Sequence, residues 1–226
     1  MKIDAQLLVW LKGTDLFART AYLTLVDKMG FADRLAGVKR FDYFGFEVDT
    51  AVRPEATVAS LKGVLDRQST FYNRNKHAYS LRCRWGETDH LEGLPRDEIQ
   101  ERWMSEISKT LQNQQVADFG GKPPVGKGIF NGFKGFLAEV VVEDEDPSAR
   151  ESVAAKLRGG LGGVEVSCAS RATVWWLAMT VPTQDEAGAL ARDIAVTTRR
   201  DSGLLMNPNY QSAEFVSVKE FFTGIE

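Results

Sequence analysis

A chain of 226 residues with 43% hydrophobic and 26% charged residues has the composition of a folded protein, which excludes disorder, and the length for one large domain or two small ones. A formal net charge of −3 and a pI near 5.6 leave no basic footprint, which excludes a general electrostatic affinity for nucleic acid or anionic lipid.

The first apolar stretch, Leu7-Leu8-Val9-Trp10-Leu11, is too short for a signal-peptide core or a membrane span and reads as a strand. Thr14 then offers an N-cap, and Ala18, Ala21, Tyr22, Leu25 and Met29 follow at helical spacing until Gly30 stops the run. Across Val38–Val48, Phe44, Phe46 and Val48 alternate against Gly45 and Glu47, the period of a half-buried strand. Pro54 and Glu55 open a helix with Val58, Leu61 and Leu65 on one face, and Lys76–Arg82 alternates again as a strand.

About fifty residues of different character follow. Arg96–Gln114 carries Ile99, Trp103, Ile107 and Leu111 four apart, a narrow apolar stripe on a charged helix. After it comes a Gly- and Pro-rich stretch read as a loop. Within that loop Gly121, Gly126 and Lys127 have the spacing of a phosphate-binding loop. The match fails at Gly128, where Ser or Thr should hold magnesium, and at Pro123 and Pro124, which remove two amide donors. A connector is expected there.

The order of the first half then recurs. Phe136–Val142 reads as a strand, and Asp146 with Pro147 opens a helix bearing Val153, Leu157 and Leu161 that Gly162 closes. Val174–Val181 is rich in strand formers, Thr183 and Glu186 form a capping box ahead of Ala187, Leu190, Ala191 and Ile194, and Glu214–Val218 supplies a last strand. Ala149-Arg150 and Arg171 stand 131 positions after Ala18-Arg19 and Arg40, so the halves share a register as well as an order.

These readings predict an α+β protein built by tandem duplication: a ferredoxin-like (β-α-β-β-α-β) domain at residues 1–83, a linker with one helix at 84–135, and a second such domain at 136–226. The second strand of each half is apolar on both sides, as in Phe41, Tyr43, Phe44 and Phe46, then Val174, Trp175, Trp176 and Leu177. The two antiparallel sheets are therefore expected to pack on or continue each other, making a pseudo-dimer within one chain.

Residues able to do chemistry have simpler uses. Cys83 and Cys168 are far apart and form no Cys-x-x-Cys pair, which points to a reduced cytoplasmic protein. Cys83 with His77 or His90 has the ingredients of a thiol enzyme, but Cys83 ends a strand and His77 shares a face with Tyr79 and Leu81, as core-edge residues do. No metal is expected, because no close pair has ligand spacing, and no cofactor is expected either. The run Glu143-Asp144-Glu145-Asp146 suits a helix N-terminus, and Trp175-Trp176 point to opposite faces of a strand, as packing residues would.

One further signal sits before the last strand of each half, where Phe71-Tyr72-Asn73-Arg74-Asn75 answers Leu204-Leu205-Met206-Asn207-Pro208-Asn209. The Leu-Leu-x-Asn-Pro turn into a final strand over Leu204–Val218 resembles the end of the PurS family, the small subunit of phosphoribosylformylglycinamidine synthase. So does Met29-Gly30 followed by Val38 and Arg40. The resemblance covers residues 5–83 and 136–220 and omits the linker; Arg74 departs from it where the second copy has Pro208. It implies an accessory subunit with no catalytic site of its own in an ATP- and glutamine-dependent C–N ligase complex of purine biosynthesis, with the synthetase and glutaminase subunits as partners. Arg40, Asn73, Asn75, Arg171, Asn207, Pro208 and Asn209 are the candidate partner-contact or turn-positioning residues. The alternatives are a dimeric α+β barrel enzyme, marked by a cavity between the sheets lined by Tyr43, His77 or Trp175, and a ligand-binding regulatory pair.

Overall fold

The computed structural model describes residues 1–118, 134–161, 164–198 and 203–222. The phosphate-loop near-match at 121–128 and Gly162 lie outside them.

The first strand, β1 (Lys2–Leu11), leads into helix α1 (Leu16–Met29). The cap is Asp15 rather than Thr14: its Oδ1 accepts from the Phe17 and Ala18 amides at 2.9 and 3.1 Å. A carboxylate there also meets the positive end of the helix dipole. Gly30 ends the helix in the left-handed region, φ 75°, as an αL cap requires. Next come β2 (Leu35–Asp49), α2 (Pro54–Arg67) and β3 (His77–Trp85). The expected linker begins with a strand of its own, β4 (Thr88–Gly93), reached by a tight turn at Gly86 with φ 53°. Helix α3 (Arg96–Asp118) follows as expected. The second half runs β5 (Lys134–Asp144), α4 (Pro147–Leu161), β6 (Glu165–Val181), α5 (Gln184–Ala195) and β7 (Gln211–Phe222). At α5 the Thr183 hydroxyl accepts from the Glu186 amide, as its capping motif predicts.

The fold is α+β, and the seven strands among the described residues form one antiparallel sheet ordered β4-β3-β1-β2-β6-β5-β7. In β1, Leu7 stands opposite Phe44 of β2 on one side and Leu81 of β3 on the other. The expected pair of middle strands is, in each half, a single long strand: β2 has 15 residues and β6 has 17. Gly37 and Gly45 of β2 stand singly, neither with a positive φ, and no cluster of Gly, Pro, Asn and Asp breaks either strand, so nothing folds it back into a hairpin.

The chain divides into two compact units, neither of them a run of consecutive sequence. The first comprises Met1–Thr14, Phe41–Arg96 and Glu143–Thr173; the second comprises Asp15–Arg40, Asp97–Val142 and Val174–Glu226. Both β2 and β6 are therefore divided, the end of β2 and the start of β6 in the first unit, the start of β2 and the end of β6 in the second.

In the first unit Ile3, Ala5, Leu7 and Val9 form the floor of a core with Phe44, Phe46 and Leu81, closed by Val58, Leu61 and Leu65 of α2 and Val153, Leu157 and Leu161 of α4. Burial of each Val, Leu, Ile or Phe side chain among these stabilises by about 1.5–3 kcal/mol. Gly160 lets the two helices approach, since a Cβ there would lie 2.7 Å from Val64 Cγ1. In the second unit Phe136, Ala138, Val140, Leu177 and Met179 pack beneath Ala18, Ala21 and Leu25 of α1 and Leu190, Ala191 and Ile194 of α5. Here α3 covers the other face: Trp103 lies 6.1 Å from Trp176 between ring centroids, and Gly37 leaves room for Ile107. Each helical layer thus holds one helix from each half of the sequence.

Candidate functional site

The two asparagine turns have the same bond pattern. Asn73 Oδ1 accepts from the Asn75 amide at 2.9 Å, and Asn207 Oδ1 accepts from the Asn209 amide at 3.0 Å. The Asn73 carbonyl accepts from the Lys76 and His77 amides, and the Asn207 carbonyl accepts from those of Tyr210 and Gln211. Both are Asx turns, in which the side chain imitates a backbone turn and holds the entry to a strand. The Asn73 amide donates to His77 Nδ1 at 2.9 Å, and the Asn207 amide donates to Gln211 Oε1 at 3.0 Å. His77 is thereby used as an acceptor inside its own turn.

Outside these bonds the turns differ. Arg74, exposed, pairs with Asp66, which also accepts from the hydroxyl of buried Tyr72. Burial first, then the bond to Asp66, holds the Tyr72 phenol above its ordinary range. Tyr72 stacks on Tyr79 with centroids 4.7 Å apart, and Lys12 Nζ donates to the Arg74 carbonyl at 2.7 Å. The second turn has exposed Asn207, Pro208 and Asn209 in this place. The Asp66, Tyr72 and Arg74 cluster went unread in the sequence, because its members stand on a helix end and a loop with no shared period.

Arg40 and Arg171 occupy equivalent sequence positions and different settings. Arg40 Nε lies 3.4 Å from Asp15 Oδ2, and its guanidinium sits 5.0 Å from the centre of the Phe17 ring. This fastens the start of α1 to β2 by an ion pair and a cation–π contact. Arg171 is exposed. Partial burial raises the Cys168 thiol, and the charges of Arg150 and Arg171 offset only part of that rise. Arg150 pairs with Glu143 at 3.1 Å.

The residues weighed for catalysis are separated and locally engaged. Cys83 is fully buried, and burial, with smaller contributions from Asp4 and Glu92, pushes its thiol up to about 12. A thiol of that kind is a poor nucleophile. His90 lies in β4 with its ring centroid 6.4 Å from that of Trp85 and its Nε2 3.5 Å from Glu92. Trp175 is buried against Phe17, with centroids 6.1 Å apart. Trp176 belongs to the α3-covered face, where its Nε1 donates to buried Glu139 at 2.9 Å. Tyr43 is half-buried and bonds through its hydroxyl to Ser170; burial dominates and raises its phenol. Among the described residues no group of three or more His, Cys, Asp or Glu side chains could hold a metal ion, and no helix is long and apolar enough to cross a membrane.

No family model, no curated protein and no solved structure matches this chain.

Proposed function

We propose that the chain is a tandem accessory subunit of the PurS type, which joins an ammonia-producing glutaminase to the ATP-using synthetase of phosphoribosylformylglycinamidine synthase. The observation that carries this reading is the exchange of elements between the sequence halves. In the first unit the strands run β3, β1, the end of β2, the start of β6. These are the last, first, third and second strands of a ferredoxin-like sheet if each long strand serves as second strand in one unit and third in the other. In the second unit β7, β5, the end of β6 and the start of β2 repeat that order. Each unit then takes its first helix and its second strand from the opposite half, as two subunits of a homodimer would exchange them, and the duplication makes that pair inseparable.

The same reading accounts for the Asx turns, which set the last strand of each half, and for polar groups that are engaged locally rather than gathered around a cleft. The enzyme alternative called for a cavity lined by Tyr43, His77 or Trp175. His77 is spent on its own turn and Trp175 on packing against Phe17.

The test is reconstitution with purified synthetase and glutaminase. Glutamine-dependent amidation of formylglycinamide ribonucleotide should require this chain, and ammonia-dependent amidation should require it much less. Turnover of a small molecule by the isolated chain would overturn the proposal.

A further inference from the structure

The two units are alike in one more respect, which reveals a difference at their outer strands. In the first unit β4 pairs with β3, Glu92 opposite Leu81 and His90 opposite Cys83. Glu92 reaches up to α2, where its Oε2 lies 2.9 Å from Lys62 Nζ. What space remains beside Glu55, Val58, Ala59 and Lys62 is a pocket of ≈150 Å³.

The same positions recur in the second unit. Asp185, Gly188, Ala189 and Arg192 of α5 stand 130 residues after Glu55, Val58, Ala59 and Lys62, and Phe215 and Ser217 of β7 stand 134 after Leu81 and Cys83. Among the described residues β7 is the last strand of the sheet, and the space beside it is an open groove of ≈490 Å³. Gly188 replaces Val58, and a Cβ on it would meet nothing within 4 Å. The Arg192 guanidinium lies 5.3 Å above the Phe215 ring, and these two residues hold the sequence positions of Lys62 and of Leu81, the residue opposite Glu92, in the first unit.

We propose that β7 is an acceptor edge for one further antiparallel strand, supplied by a partner protein and carrying a carboxylate opposite Phe215 that pairs with Arg192. Main-chain bonds to an exposed sheet edge give affinity in such β-augmentation, and alternate side chains give specificity. The two edges of the sheet are built differently. β4 has six residues, three of them Asp, His and Glu, whereas β7 has 12, three of them Glu214, Lys219 and Glu220, with Val216 49% exposed at its middle, so its density of ionisable side chains is half as great. Long, weakly charged edges are the ones that take up strands. Gln184 Nε2 donates to the Val218 carbonyl at 3.0 Å, a bond that an incoming strand would replace. A second copy of this chain is the wrong occupant. The α5-side residues Ala213, Phe215 and Ser217 include no carboxylate, so β7 paired with its own copy brings none to Arg192. This inference goes beyond the accessory-subunit reading and stands without it.

The probe is a capped synthetic peptide with the sequence of residues 87–94, the chain's own edge strand, titrated to millimolar concentration into the isotope-labelled full chain. Amide shifts should appear over Glu214–Lys219 and at the Arg192 side chain, and the peptide carrying Glu92→Lys should bind about tenfold more weakly. In the Arg192→Glu protein the preference should reverse, so that the Glu92→Lys peptide binds better; a reversal can be seen only if that variant is folded. The proposal is overturned by shifts absent from β7 or centred on Thr88–Gly93, by an unchanged preference in Arg192→Glu, or by concentration-dependent β7 shifts and a doubled sedimentation mass without peptide, which would make the occupant a second copy.

Discussion

The indole N–H of Trp176 donates to the carboxylate of Glu139 at 2.9 Å, and both side chains are buried, Trp176 completely. They stand on neighbouring strands of the second unit, on the face that α3 covers with Trp103. A carboxylate so placed is costly to desolvate and is retained where it accepts hydrogen bonds.

The first prediction follows from that pair. Glu139→Gln keeps an oxygen acceptor for the indole and should change stability little. Glu139→Leu removes it and should lower unfolding stability by about 1–3 kcal/mol, the cost of a buried donor deprived of its acceptor. Urea unfolding followed by tryptophan fluorescence reads both. Equal stability of the Gln and Leu variants would show that the bond does not hold α3's face together.

A second prediction concerns the equivalent turns. Asn73→Ala and Asn207→Ala each remove an Asx bond and should each cost about 1 kcal/mol. His77→Gln places in the first turn the residue that Gln211 is in the second, so it should be tolerated, while His77→Ala should cost about as much as Asn73→Ala. Thermal unfolding of the four variants checks this. Measured beside it, assembly with synthetase and glutaminase separates two roles: assembly lost at unchanged stability would make the asparagines contact residues, and assembly lost in proportion to stability would make them turn residues.

Helices and strands were legible where one apolar period ran unbroken, as in Ala18, Ala21 and Leu25 or Phe44, Phe46 and Val48. Two strands were not. β4 is six residues long with polar side chains on both faces, and only the Trp85-Gly86-Glu87-Thr88 turn hints at it. The first nine residues of β6, Glu165–Thr173, alternate small and polar groups, and most of them remain at least partly exposed, so they carry little hydrophobic signal. The exchange of α1 and α4 was out of reach for a different reason. An apolar stripe states that a helix is covered and does not state by which sheet. Of the site residues, the asparagines were found by their repetition, while Glu139 escaped because a lone acidic residue in Ala138-Glu139-Val140 reads as solvent-facing.

The third prediction is a pH dependence. The folded protein holds the Cys83 thiol at about 12, against 9.0 for an ordinary thiol, chiefly by burying it. A group whose folded value is raised gives its full contribution below the unfolded value and loses it as pH rises. Stability attributable to Cys83 should therefore be constant up to about pH 9 and decline between pH 9 and 12, by about 4 kcal/mol at most. Cys83→Ala should be less stable at neutral pH and lack this component of the alkaline decline, as denaturant midpoints across the range will show. At pH 8 a thiol reagent should modify half-buried Cys168 well before Cys83. Equal rates in the folded protein would contradict the burial argument.

The last prediction tests the exchange itself, through the contact of α4 with α2 inside the first unit. Gly160 of α4 faces Val64 of α2 so closely that an added Cβ would lie 2.7 and 2.9 Å from the two Val64 methyls. Valine is stiff at χ1 and cannot turn a methyl aside cheaply, so an added Cβ should be felt even though Gly160 is exposed. Gly160→Leu should cost about 1–3 kcal/mol, partly offset by the better helix propensity of leucine. Val64→Ala alone opens a cavity and should also destabilise. If the two helices pack as described, the double variant should recover part of the loss, giving a favourable coupling of about 0.5–3 kcal/mol in a double-mutant cycle. Gly159, exposed like Gly160 but with no atom within 4 Å of an added Cβ, is the control, and Gly159→Leu should show no coupling to Val64→Ala. Additive effects at Gly160 and Val64 would mean that α4 does not lie on α2, and the exchanged pair on which the proposed function rests would fall with it.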